Sequence, residues 1–122
     1  MEIIHLAGRE SFITADGSAI RELAHPSWSG ARNQSLAEAT VDPGAQTAEH
    51  YHPRSEEIYY FTAGRGRMRL GAEEAEVKSG DCVVIAPGTV HKLWNTGADP
   101  LHLLCCCAPA YEHSDTFITE EI

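Results

Sequence analysis

The sequence has no apolar run long enough to span a membrane, which takes about 20 residues. Its opening, MEIIHLAGRE, carries an acid at position 2 and no long apolar stretch, so it does not read as a secretory leader. Cationic surplus is missing too, with a formal net charge of −9. A chain this acidic lacks the electrostatic footprint for nucleic acid and is repelled by anionic membrane surfaces. Cysteine pairs of the C-x-x-C kind are absent, which removes the usual thiolate zinc sites. There is no nucleotide-binding glycine loop either, because the glycines at 64 and 66 read as a turn. Ser55 lies close to His52, but no oxyanion element accompanies it, so a serine nucleophile is not indicated.

The cysteines present are Cys82 and the consecutive Cys105, Cys106 and Cys107. Three in a row cannot bridge one another in ordinary geometry. They extend the apolar segment LHLLCCC and read as small buried hydrophobes of a strand. Alternation places Cys105 and Cys107 on one face and Cys106 on the other. So many free thiols suit a reducing cytoplasm.

Long helical periodicity is also missing. Short apolar segments alternate with turn residues: EIIHL, SFIT, AIRELA, QSLAEATV, QTAEHYH, EEIYYFT, GRMRL, EAEV, CVVIA, HKLWN and LHLLCCC. The connections ADGS, DPGA, AGRG, KSGD, PGT and NTGADP carry Gly, Pro, Asp or Asn where a chain reverses. This spacing predicts an all-β fold, an antiparallel sandwich or small barrel. The 122 residues suit one domain over 1–122. Residues 108–122 read as a tail, with Pro109 ending the last strand. Tyr111, Phe117 and Ile118 predict that the tail packs on the body or on a partner subunit, with its acidic end exposed.

One hairpin is legible in detail. In RMRLGAEEAEV, Gly71-Ala72 is a two-residue turn with glycine where a type II′ turn needs it. That register sets Arg69 opposite Glu74, Arg67 opposite Glu76 and Met68 opposite Ala75. The charged face reads as solvated surface rather than an anion site.

The chemistry concentrates in EHYHPRSEEIYY. His50 and His52 are two apart and project from one strand face, a chelate geometry. After Pro53-Arg54-Ser55 come two acids of opposite phase. Glu57 shares its face with Tyr59 and Phe61, and Glu56 with Ile58 and Tyr60, so periodicity does not choose between them. A lone histidine, His91, follows the turn at Pro87-Gly88. Leu93 and Asn95 share its face, and Asn95 reads as structural. His102 alternates with Leu101 and Leu103 and faces outward if they face in.

These residues resemble the two motifs of the cupin superfamily. The first runs Gly44, five residues, His50-Tyr51-His52, four residues, Glu57, six residues, Gly64. The second runs Gly80, five residues, Ala86-Pro87-Gly88, two residues, His91, three residues, Asn95. Ala86 stands where the family usually has proline, and Pro87 beside it can still stiffen the turn. The resemblance implies a double-stranded antiparallel β-barrel, or jelly roll. It selects Glu57 over Glu56, and it implies that His50, His52, Glu57 and His91 hold one divalent transition metal. Three imidazoles and a carboxylate admit Mn, Fe, Ni, Zn or Cu. Tyr59 and Phe61 are candidates for the pocket wall.

The expectation is a metal-dependent enzyme acting on a small chelating molecule, with oxygenase-like, dioxygenase-type chemistry first. The alternative is a non-catalytic cupin that binds or senses a small ligand. An isomerase or decarboxylase using the same site is also open. Small cupins commonly form homodimers, and exposed strand edges would benefit from pairing. Neither nucleic acid nor membrane is an expected partner.

Overall fold

The computed structural model describes residues 1–120. Eleven strands run in the order β1 (Ser11–Ile13), β2 (Ala19–Ala24), β3 (Ser35–Val41), β4 (His50–Tyr51), β5 (Glu56–Ala63), β6 (Arg65–Leu70), β7 (Glu73–Lys78), β8 (Cys82–Ile85), β9 (His91–Asn95), β10 (Leu101–Ala108) and β11 (Phe117–Ile118). They form a six-stranded sheet, β1-β2-β3-β10-β5-β8, and a five-stranded sheet, β11-β4-β9-β6-β7. Every strand pair is antiparallel. The arrangement is the predicted double-stranded β-barrel. Among the described residues, no helix is long and apolar enough to cross a membrane.

Alternation explains the layers. Along β5 every second residue, Glu57, Tyr59 and Phe61, is buried, while Glu56, Ile58 and Tyr60 face out. Phe61, Ile85, Leu93, Leu101 and Leu103 are almost fully buried and fill one end of the space between the sheets. Fully burying each such side chain contributes about 1.5–3 kcal/mol. The inner face of β3 is different in kind: Ser35, Ala37, Ala39 and Val41 are small, and together they line a cavity at the other end.

Gly71 and Gly64 are two positions where the backbone requires glycine. Gly71 has φ +61, as the turn of the β6–β7 hairpin demands. Gly64 has φ +85, and a Cβ there would lie 2.8 Å from the Pro100 carbonyl oxygen.

The hairpin register is as expected, with Arg69 opposite Glu74 and Arg67 opposite Glu76. Of the two expected ion pairs, Arg69–Glu74 is present at 3.9 Å, and Arg69 also reaches across its sheet to Glu49. Arg67 instead bonds diagonally to Glu74 at 2.8 Å.

Three segments depart from the sequence reading. EIIHL is not a strand: it leads into a 3₁₀ turn at Leu6–Gly8, which His5 caps by accepting from Ala7 N–H, and Ile3 stays exposed. QTAEHYH keeps strand geometry only at His50–Tyr51, with an isolated bridge from Gln46 to Trp94. The tail contributes a strand of its own. Phe117 and Ile118 pair with Tyr51 and His50, and the rings of Phe117 and Tyr51 stack at 5.5 Å.

Through its described residues the tail packs on the body. Glu120 accepts from Glu49 N–H and pairs with the buried Lys92, so its carboxylate is engaged rather than free in solvent. The rest of the acidic end, Glu121 and Ile122, lies outside the described residues.

Candidate metal centre

Strand register assembles the site. His50 of β4 sits directly opposite His91 of β9 in the five-stranded sheet. His52 follows β4 two residues on and shares the inward face of His50. Glu57 comes from the facing sheet, near the start of β5. All four are buried, and one ligand atom from each lies within 4.8 Å of the others. Ring centroids are 4.2 Å apart for His50 and His91 and 5.0 Å apart for His50 and His52.

The hydrogen bonds fix which nitrogen faces inward. His50 Nδ1 donates to the Ala48 carbonyl at 2.8 Å, and His91 Nδ1 donates to the Thr89 carbonyl at 2.9 Å. His52 Nδ1 lies 3.3 Å from the Asp115 carbonyl oxygen and 3.1 Å from Thr116 Oγ1. A carbonyl can only accept, so each Nδ1 carries its proton. In the neutral ring, Nε2 is then a lone pair directed at the common centre. Glu57 Oε1 is a further acceptor there, 3.3 Å from His52 Nε2 and 3.4 Å from His91 Nε2.

Four acceptors converge on one point, and two of them are orphaned. Glu57 Oε1 and His91 Nε2 are buried with no hydrogen-bond partner among the described residues. A buried orphan of this kind costs about 1–3 kcal/mol. Either a proton or a cation removes the conflict. Nitrogen and oxygen donors in this number fit a first-row divalent ion, and the bond each Nδ1 makes to a carbonyl oxygen is the kind a metal-binding imidazole uses.

The proton balance follows from burial and charge. Burial pushes the Glu57 carboxyl up, but bonds and charge from His52 and His91 outweigh it and hold it at about 2. Burial lowers His50, and the neighbouring His91 lowers it further. Burial also pulls His52 down, yet the bond and charge of Glu57 leave it raised. So without a cation, burial and charge favour a proton on His52 beside Glu57 and disfavour one on His50.

The other predicted residues separate cleanly. Glu56 is exposed on the outer face. Tyr59 lines the cavity, its ring edge-on to His91 at 5.8 Å, and burial with the Glu57 charge pushes its hydroxyl well up. Phe61, a candidate for the pocket wall, instead lies wholly inside the apolar core behind Tyr59. Asn95 is structural, donating to the Val41 and Asp99 carbonyls and accepting from Gly97 N–H. His102 faces outward and bonds to Thr40. Ser55 Oγ donates to the Pro109 carbonyl and is no nucleophile for His52.

The cavity also recruits residues the sequence reading passed over. Asp16, Glu22, Cys105, Cys107, Tyr111 and Thr116 all line it. Asp16 sits in ADGS and looked like a turn residue. Cys105 and Cys107 lie directly opposite Tyr59 and Glu57 on β5, so their shared phase points into the site. That signal was present in the alternation but needed the register to be read.

A family model described as "Cupin domain" matches residues 37–107. An uncharacterized protein of Methanocaldococcus jannaschii is 53% identical over 109 residues, covering 89% of this chain and 87% of the relative. The tetracenomycin polyketide synthase protein TcmJ of Streptomyces glaucescens is 29% identical, covering 76% of this chain and 62% of the relative. Among solved structures, the polyketide cyclase RemF of Streptomyces resistomycificus matches with TM-score 0.84 at 21% identity, covering 100% of this chain and 87% of that one.

Proposed function

The chain belongs to the cupin family, and from that premise we propose that it is a metal-dependent enzyme acting on a small oxygen-donor molecule. His50, His52, Glu57 and His91 would hold one divalent ion of Mn, Fe, Ni, Zn or Cu. The observation that carries this reading is the set of inward lone pairs, with Glu57 Oε1 and His91 Nε2 left without protein donors beside a cavity. Bound there, the ion would supply Lewis acidity and open positions for substrate or dioxygen.

The chain's own groups do the rest. The Nδ1 bonds to Ala48, Thr89, Asp115 and Thr116 hold the imidazoles in one tautomer. The Tyr59 hydroxyl keeps its proton and can donate to a ligand oxygen. The apolar wall of Ile20, Ala37, Ala39 and Val41 excludes water from a planar or apolar ligand body. Oxygenase-like turnover of a chelating substrate is the first activity to test. A non-oxidative reaction at the same site is the second, supported by the likeness to a polyketide synthase protein.

Elemental analysis of purified protein should find metal in stoichiometric amount, and a panel of small phenolic and hydroxy-keto chelators should perturb the spectrum of metal-loaded protein. Oxygen uptake with one of them, abolished by His91→Ala, is the expected result. Perturbation without turnover across several metals would favour a binding protein.

We also infer a homodimer working in a reducing cytoplasm. Supporting this are the free thiols and an outward apolar patch, Ile58, Tyr60 and Val84, on the six-stranded sheet. Sedimentation that reports a monomer at micromolar concentration would count against the dimer.

A further inference from the structure

The cavity beside the histidines has a one-sided charge. Its lining includes Asp16, Glu22 and Glu57, and among the described lining residues there is neither lysine nor arginine. Sites that take carboxylate or phosphate ligands supply a guanidinium, an ammonium or a helix N-terminus to meet them. This one supplies further negative charge in a partly desolvated space, where like charges repel strongly.

Asp16 is built for a role there. Its Oδ1 accepts from Ser18 N–H at 2.9 Å and from Ser18 Oγ at 2.7 Å, so the carboxylate is held in one orientation. Its Oδ2 makes no hydrogen bond among the described residues and lies 3.8 Å from His50 Nε2, too far to bond directly. The side chain is only 12% exposed. A fixed, free acceptor therefore faces the space a ligand would occupy next to the four-residue cluster. Glu22 is already engaged, accepting from Trp28 Nε1.

Charge arithmetic sharpens the point. A divalent ion with neutral imidazoles brings two positive charges. Glu57 and Asp16 cancel them, so no positive charge is left over for an anion; Glu22 has Arg9 close by, bonded to its backbone carbonyl at 2.7 Å, and is left out of the sum. An anionic ligand would gain the metal's attraction and lose it again to the carboxylates around it.

We propose that this cavity selects a small neutral or cationic ligand, offering oxygen donors to the histidine cluster and a hydroxyl or ammonium hydrogen to Asp16 Oδ2, and that it discriminates against carboxylate and phosphate compounds. This rests on the metal-centred reading above. It narrows the substrate class from chelators in general to uncharged or positively charged polyols, phenols and amines.

One chelating ring carried at three charges tests it. Catechol is neutral, dopamine is a cation and protocatechuate is an anion. Each is titrated into cobalt-loaded protein, following the cobalt absorption band. Dopamine should bind at least as tightly as catechol, and protocatechuate at least about tenfold more weakly, as expected for like charges brought together. Asp16→Asn should bring protocatechuate to within about threefold of catechol. The ladder in the parent protein stands alone should that variant fail to fold. Equal or tighter binding of protocatechuate to the parent, with the spectrum perturbed by all three, overturns the charge selection and leaves the metal-centred reading intact. A spectrum that none of the three perturbs overturns both.

Discussion

Cys107 donates its thiol hydrogen to Glu57 Oε2 across 3.2 Å, from the strand directly beside it. Burial, reinforced by the Glu57 charge, pushes this thiol far up, so it stays a donor. The bond occupies one carboxylate oxygen and leaves Oε1 as the one directed at the histidines. Cys107 is thus a positioning residue for Glu57. Cys107→Val should lower metal affinity by about 10–100-fold, as loss of an outer-shell partner does. Cys107→Ser, which keeps a donor, should recover much of that loss. Competition against a coloured chelator measures both. Equal affinity in the parent and Cys107→Val would leave the thiol as simple packing.

The two acids at the start of β5 should behave oppositely. Glu57→Gln removes the carboxylate charge from the buried cluster and should strip most of the metal. Glu56→Gln acts on an exposed face and should leave metal content unchanged. Elemental analysis of both variants decides the assignment, and loss in Glu56→Gln alone would reverse it.

Metal affinity should rise with pH through the range in which His52 gives up its proton. His52 is raised above the ordinary imidazole value of about 6.5. Its ion pair with Glu57 stabilises the metal-free protein below that value and is lost as pH climbs past the raised one. Glu57 has the opposite sign: its contribution is present above the ordinary carboxylate range and is lost as pH falls towards about 2. A metal ion must displace the His52 proton. Calorimetry in buffers of different ionisation heat should show proton release on binding near neutral pH, fading at higher pH. Affinity that does not change from pH ~5.5 to ~8 would argue against His52 as a ligand.

The tail is held by charge. The Lys92 ammonium is buried and bonds Glu120, and bonds from Lys92 and from Glu49 N–H hold the Glu120 carboxyl below its ordinary value. Glu120→Ala leaves that ammonium without its partner and should cost about 1.5–3 kcal/mol. Urea unfolding reads the loss directly. The same contribution should fade in the parent as pH drops below the ordinary carboxylate range. An unchanged midpoint would mean that the tail is held by Phe117 and Ile118 alone.

Thiol labelling should split the cysteines by face. Cys82 is exposed and should react first in the native protein; Cys106 points out from β10 but is half-buried, and burial raises its thiol, so it should follow more slowly. Burial pushes Cys105 and Cys107 well up, and both should wait for opening of the barrel. Fast reaction at all four would rule out this packing.

The sequence by itself determined the all-β class and the β6–β7 hairpin register, and its resemblance to the two cupin motifs marked the four candidate ligands. The first two are local properties. Period-two alternation, the Gly71 turn and the shared face of His50 and His52 can be read within a few residues of chain, whereas His91 joins them only through the second motif. Even the phase of Glu57 needed the motif interval to Gly64, because both acids continue a plausible alternation.

Only the tertiary structure decided what surrounds them. Cys107 meets Glu57 from 50 residues away, and Tyr111 bonds Thr14 from 97 away, through pairings that no local pattern records. Asp16 reads as turn chemistry until β1 and β2 carry it over the cavity. The small inner residues of β3, unphased in the sequence, make room for that cavity, while Phe61, one alternation step beyond Tyr59, falls on the filled side. A side chain's face is set by its own strand. Its neighbours are set by which strands lie alongside and at what register, and that follows from packing the whole chain at once.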